Sequence, residues 1–495
     1  MLPGRIGSLS VCRRGMRHYN RPMDTRGITT CKGARAVFWP LLLAAAAQAA
    51  VYEVGPGKPL ARIGDVPWHT LQPGDTVLIH WSPEPYREKW VLCRQGTEAA
   101  PITVRGVLND EFLRPVVDAS GAVTPAPLNY WNEERSLLKI GGANTPPDTM
   151  PRWIVIENLD LRGARPGRGF TGDDGTSREY SINAASIHIE KGENIVIRNC
   201  VLSDSGNGLF IGSSATAPAR DVLVEANWIH SNGNEGSIYE HNSYTEALGI
   251  TFQFNLYGPL REGALGNNLK DRSAGLTVRY NWIESGNRQL DLVDAGAAPL
   301  LNDPAYRETF VYGNILVEPA GAGNRQIVHY GGDSGQAARY RKGTLWFYHN
   351  TVISTRTDRT TLFRLSTNDE RCEAWNNVFF VNGSGTTLSL LDQTGLLNLE
   401  RNLINPGWVA SFVPLTGAVT GANPQVETDG AYFWDFTAQE YQPLPESPML
   451  GAAVELPATL RERHPVLRNY VKHLGAAPRV STAALGALEP AAAPR

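Results

Sequence analysis

An asparagine recurs in one setting along the middle of this chain, and that recurrence limits the fold more than any other feature. The segments IVIENLDL (Asn158), IVIRNCVL (Asn199), LVEANWIH (Asn227), TFQFNLYG (Asn255), TVRYNWIE (Asn281), FVYGNILV (Asn314), WFYHNTVI (Asn350), EAWNNVFF (Asn377) and LNLERNLI (Asn402) follow one another at intervals of 25 to 41 residues. The runs on either side of the asparagine alternate apolar and polar residues and are rich in β-branched types, which is the pattern of short strands. Helical repeats are excluded, and most intervals are too short for propeller blades of about 40–45 residues. What remains is a solenoid with one coil per repeat and strands stacked about 4.8 Å apart. An asparagine at every corner can pass an amide hydrogen bond to the next coil and satisfy turn backbone that would otherwise be buried unpaired.

Organised in this way, the chain resembles the right-handed parallel β-helix proteins of the polysaccharide lyase and pectate lyase kind. The segment Leu71-Gln-Pro-Gly-Asp-Thr-Val-Leu78, with Tyr86-Arg-Glu after it, is similar to their first coil, and Pro101–Gly106 to their second. The expected fold is all-β, a right-handed parallel β-helix over residues 50–415. Residues 416–495 lack the repeat, are rich in Pro and Ala, and read as a capping segment with a short amphipathic helix near Leu460–Leu474.

The first fifty residues differ from the rest. Eight basic side chains stand there against one acid, Asp24, followed by the apolar run Val37–Ala47 and the small-residue site Ala47-Gln48-Ala49. This is the layout of a secretory signal peptide over residues 1–49, with Met23 as an alternative start. Taking those charges from totals of 46 basic and 49 acidic residues turns a net −3 into about −10. Such a chain is not a nucleic-acid binder, which needs a basic face. The expectation is an exported monomer, in the secreted or periplasmic space, with no membrane insertion once the leader is removed. Cys93, Cys200 and Cys372 show no metal-type spacing and read as buried thiols.

In each coil a third strand follows the two that flank the asparagine, and in the lyases the third sheet lines the substrate groove. Here the third strands are apolar at both ends of the series but polar at EHNSYTEA (240–247), NNLKDRS (267–273) and RQLDLVDA (288–295). Their phase predicts Tyr244 beside Lys270 beside Asp291 facing outward, flanked by a column of Asn242, Asn268 and Gln289 and another of Glu246 and Arg272. A slip of one residue would invert the phase and bring His241 and His329 forward. Gly266-Asn-Asn-Leu-Lys-Asp-Arg-Ser273 resembles the Asn-x-Lys-x-Arg pattern of β-helix lyases that cleave uronic-acid polymers. In the chondroitinase B and alginate lyase-like family an Arg of the following coil pairs with the catalytic Lys; here that place reads Gln289-Leu-Asp-Leu-Val293.

The resemblance implies β-elimination on an acidic polysaccharide. Lys270 is the expected base, with Arg272 and Asn242 or Asn268 neutralising the uronate carboxylate and Tyr244 or His241 as acid. Arg288, Gln289, His329 and Arg364 complete the expected substrate-binding set. Ca²⁺ between Glu246, Asp271 and Asp291 is an alternative to Arg272, because hard oxygen ligands suit it. Two other readings stay open: a glycoside hydrolase using pairs among Glu246, Asp271, Asp291 and Asp294, and a non-catalytic glycan-binding solenoid. A C5 epimerase would use nearly the same residues as the lyase.

Overall fold

In the computed structural model, which describes residues 49–490, three long parallel sheets wind around one apolar interior as a right-handed parallel β-helix. The leader expected at 1–49 lies outside the described residues except for Ala49. Strands preceding the corner form a 13-stranded sheet, those following it an 11-stranded sheet, and the third strands a 10-stranded sheet. Alternation sends one side of each strand inward, so that Leu269, Leu290, Val328 and Phe363 stack in register beneath the third sheet and are fully or almost fully buried. Each such side chain contributes roughly 1.5–3 kcal/mol. Among the described residues the three cysteines are free and buried, and no helix is long and apolar enough to cross a membrane.

The asparagine ladder is continuous from Asn227 to Asn402. Asn255 shows its logic: its Nδ2 donates to Asn281 Oδ1 at 2.9 Å and to Val224 O at 2.9 Å, while its own Oδ1 accepts from Asn227 N and Nδ2. The residue before each ladder asparagine lies in the left-handed region, as at Ala226 (φ 53°), Phe254 (φ 59°) and Tyr280 (φ 55°). Each such non-glycine corner costs on the order of 1 kcal/mol, which the saturated amide network offsets. Gln425 extends the row beyond Asn402, and strands at Ala418–Thr420 and Val426–Glu427 join the sheets, so the coils run past residue 415.

The first two repeats sit one residue out of the expected alignment. Glu157, Arg198 and Glu225 are in register, which puts Asn158 and Asn199 level with Ala226, and Cys200 level with Asn227. Asn158 (φ 62°) and Asn199 (φ 52°) themselves adopt the left-handed corner that asparagine tolerates well. A single letter thus serves two different corner positions.

The C-terminal segment does not simply cap the last coil. It runs back along the outside, burying Phe433, Tyr441, Met449 and Tyr470 against Trp282, Ile315, Ile353 and Phe380. The helix expected near Leu460–Leu474 is confined to Ala458–Arg463, and a hairpin of Arg468–Val471 with Gly475–Pro478 follows it.

Candidate active site

On the third sheet the expected outward column is present and longer than the polar strands suggested. Pairing aligns Lys139, His188, Phe210, Tyr244, Lys270, Asp291, His329 and Arg364 in one line across successive coils. Its first part is roofed. The segments on either side of strand Ser136–Ile140 cover it: Lys139 donates to Trp131 O and Gly142 O and has no exposed surface, His188 is 3% exposed, and the Arg135 guanidinium lies 4.6 Å over the Phe210 ring. From Tyr244 onward the column opens into a cleft of about 560 Å³ whose walls include Tyr239, His241, Arg272, Arg288 and Asp333.

Charge in the cleft is organised around Lys270 and Arg272. The Lys270 ammonium donates to Asp291 Oδ2 and, at 2.5 Å, to Asp333 Oδ2. Arg272 donates to Asp333 Oδ1 at 2.8 Å, to the Tyr244 hydroxyl oxygen at 2.9 Å and to the Asp294 carbonyl. Burial works against ionising Asp291, yet Lys270, His329 and Arg288 hold its carboxyl well below the usual range. Asp333 is likewise opposed by burial but lowered by Lys270 and Arg272. Burial alone would lower the Arg272 pKa; Tyr244 and Asp333 reverse this and raise it.

Behind the front row, His329 joins Asp291 Oδ1 (2.8 Å) to Ser366 Oγ (3.0 Å), and Asn267 Nδ2 donates to Asp291 Oδ2 at 2.9 Å. Asp291 is thus held on every side and is 2% exposed. His241 accepts the Asn267 backbone N–H at Nδ1 (2.8 Å), which leaves the proton of the neutral ring on Nε2. Burial and then the Lys270 charge push its pKa down to about 3, so the ring is neutral at any ordinary pH.

Several expected residues lie elsewhere. Asn242, Asn268 and Gln289 have no exposed surface. They turn inward at the corner, where Asn242 accepts from Asn232 and donates to Gly258 O, Asn268 donates to Glu284 O and Ser285 O, and Gln289 donates to Glu318. Those side chains close the backbone of a second corner and cannot hold a substrate carboxylate. The three supposed calcium ligands diverge. Glu246 accepts from Gly296 N and Ala297 N, Asp271 faces the interior against Thr245, Ser273 and Arg341, and only Asp291 faces the cleft. Among the described residues no group of three or more His, Cys, Asp or Glu side chains is placed to hold a metal ion. Lys270, the expected base, stays at the centre of the cleft, but its amine is paired with two carboxylates, Asp291 and Asp333. Arg288 and Arg364 line the cleft, as does His329, which is 3% exposed.

Asp333, Tyr239 and Ser366 were not anticipated. Asp333 belongs to the loop Gly331-Gly-Asp-Ser-Gly335, which Asp294 anchors through the Asp333 N–H (2.8 Å) and the Ser334 hydroxyl. Its glycines mark a turn in the sequence, yet nothing local says that the turn folds back over the preceding coil.

No family model matches the sequence, and no curated protein sequence matches it. Solved structures of the same general build are similar at low identity. Pectate lyase Pel9A is 10% identical over 89% of this chain and 96% of its own, with a TM-score of 0.47. An alginate lyase from Paenibacillus sp. str. FPU-7 is 11% identical over 72% and 95%, with a TM-score of 0.41. A GH136 lacto-N-biosidase from Eubacterium ramulus is 13% identical over 76% and 67%, with a TM-score of 0.40. These likenesses concern fold alone, and the reaction has to be argued from the cleft.

Proposed function

We propose that this protein is an exported polysaccharide lyase that cleaves a uronic-acid-containing polymer by β-elimination. One observation carries the reading: Arg272 joins a phenol oxygen, that of Tyr244, to a carboxylate, that of Asp333, which also sits on Lys270. Elimination requires a cationic seat for the uronate carboxylate next to a group that moves the C5 proton. Asp333, on an exposed loop, occupies that seat in the free protein; the substrate carboxylate replaces it on Arg272 and Lys270. In the proposed step Tyr244 first gives its hydroxyl proton to solvent, and its oxygen, which keeps the Arg272 hydrogen bond, then takes the proton from C5. The C4–O bond breaks as the C4–C5 double bond forms, and the phenol returns the proton to the departing oxygen. The His241 Nε2–H faces the same space and hydrogen-bonds that oxygen as charge develops on it. Lys270 is assigned to the carboxylate and not to proton abstraction.

A hydrolase fits the cleft less well. Asp291 and Asp333 share the Lys270 ammonium and so are near each other, but glycoside hydrolysis needs one carboxyl kept protonated by a raised pKa. Both are lowered by their cationic neighbours. Incubation with polygalacturonate, alginate, hyaluronan and chondroitin sulfate tests the assignment. Ultraviolet absorbance from unsaturated ends, lost in Tyr244→Phe, is the expected result. Reducing ends without absorbance would sink the elimination mechanism.

A further inference from the structure

Adjoining the cleft on the side of the later coils is a second depression of about 700 Å³, and the two share Arg288 and Arg364 as a common wall. Arg325, Arg359 and Arg364 are exposed on its rim and, among the described residues, have no carboxylate partner within ion-pair distance. Arg288 adds a half-buried guanidinium whose Nε–H has no acceptor, with Asp291 only at 3.9 Å. Arg356 also lines the depression, but its charge is spent on Glu318 (2.9 Å) and Asp358 (2.8 Å). Asp392 lines the depression with this group, and Asp358, bound to Arg356, also feels the Arg325 charge. Unpaired guanidiniums brought together repel one another, and their convergence within residues 50–495, a stretch of about −10 by count, is a cost that an anionic ligand removes. The Arg359 guanidinium lies 4.6 Å over the Phe412 ring, which fixes its direction and leaves an apolar surface beside it.

We infer that this depression is a subsite for an oxyanion substituent, carboxylate or sulfate, of a sugar next to the one being cleaved. The inference rests on the polysaccharide reading above and adds a direction to it. Toward the earlier coils the column is covered by the segments flanking strand Ser136–Ile140, with Lys139 and His188 buried. The polymer therefore leaves the Lys270 cleft toward the later coils, across Arg288 and Arg364. Planar guanidiniums grip carboxylate and sulfate alike, so the two sources need separate probes.

The experiment titrates the full chain by calorimetry with a galacturonate octamer, its methyl ester and a chondroitin sulfate octamer, using wild type, Arg325→Ala/Arg359→Ala and Arg364→Ala. Loss of one charge-assisted contact weakens binding by about tenfold or more. The double variant is expected to lose on the order of 100-fold for an acidic octamer and nothing for the ester, with thermal unfolding unchanged. A loss for the galacturonate identifies the group as carboxylate, and a loss confined to the chondroitin sulfate identifies it as sulfate. Equal binding of all octamers by wild type and variants overturns the subsite, whether or not unsaturated products form. Arginine-dependent binding without unsaturated products upholds the subsite and overturns the lyase.

Discussion

Lys139 and Lys270 occupy equivalent places in this molecule. Both stand on the outward column of the same sheet, four register steps apart through His188, Phe210 and Tyr244. Both are nearly or wholly buried. Lys139 lies under the segments flanking its own strand and donates to the Trp131 and Gly142 carbonyls, with Glu190 at 2.8 Å. Burial lowers its pKa, and Glu190 counters only part of that. Lys270 lies at the floor of an open cleft between two side-chain carboxylates, one of them on an exposed loop. The β-helix supplies the same position repeatedly; the loops laid over it decide whether the position becomes structure or site.

The largest effect should come from the open half. Tyr244→Phe and Arg272→Ala are each expected to reduce turnover by about 10²–10⁴-fold, read from the rate of unsaturated-end absorbance, without loss of the folded state. Lys270→Met should also cripple turnover, whereas Lys139→Met should preserve it. A comparable loss in Lys139→Met would break the distinction between the two lysines.

Next in size is damage to the scaffold shared by both halves. Asn281→Ala deprives Asn255 N–H and Asn255 Nδ2 of their acceptor, at about 1–3 kcal/mol for each buried unsatisfied group. Urea unfolding should show a loss of roughly that sum. Asn158→Ala, at the outer corner position, should cost only a fraction as much, and equal losses would contradict the shift in alignment between the early and later coils.

Lys139→Met should lower stability by roughly 1–3 kcal/mol, because it removes one partner of the ion pair and leaves Glu190 and the Trp131 and Gly142 carbonyls without their donor. The unfolding midpoint measures this.

The smallest effect is a pH dependence. His188, His241 and His329 all have pKa values lowered by burial, His241 to about 3. A histidine with a depressed folded pKa contributes its full stability above the unfolded value of about 6.5 and loses it as pH falls toward the folded value. The urea midpoint should therefore fall between pH 7 and pH 4. His188→Phe should flatten that slope from the roofed half, and His329→Phe from the open half. If neither variant does, the buried-histidine account is wrong.

Much of the architecture was legible because strand alternation and an asparagine at a corner are local properties. The third-strand segments, the column of Tyr244, Lys270 and Asp291, and the inward Leu269, Leu290 and Leu292 all follow from a period of two once the repeat is recognised. Local reading failed where the chain leaves the strand. Asn242, Asn268 and Gln289 were placed outward by continuing the alternation one step too far, but the backbone turns there and aims them inward. Asn158 and Asn199 fit the motif by letter and miss the ladder by one residue.

Residue order alone therefore determined the solenoid, its ladder and the face on which chemistry is possible, because these depend on interactions repeated at short range. Tertiary structure decided which length of that face is open, which carboxylate meets Lys270 and which arginines stay unpaired. Asp333 reaches Lys270 across 63 residues and Arg272 across 61. The Lys139–Glu190 pair and the depression holding Arg325, Arg359 and Arg364 likewise join segments from different coils. Such meetings are set by how loops close over neighbouring coils, and no sequence period encodes that closure.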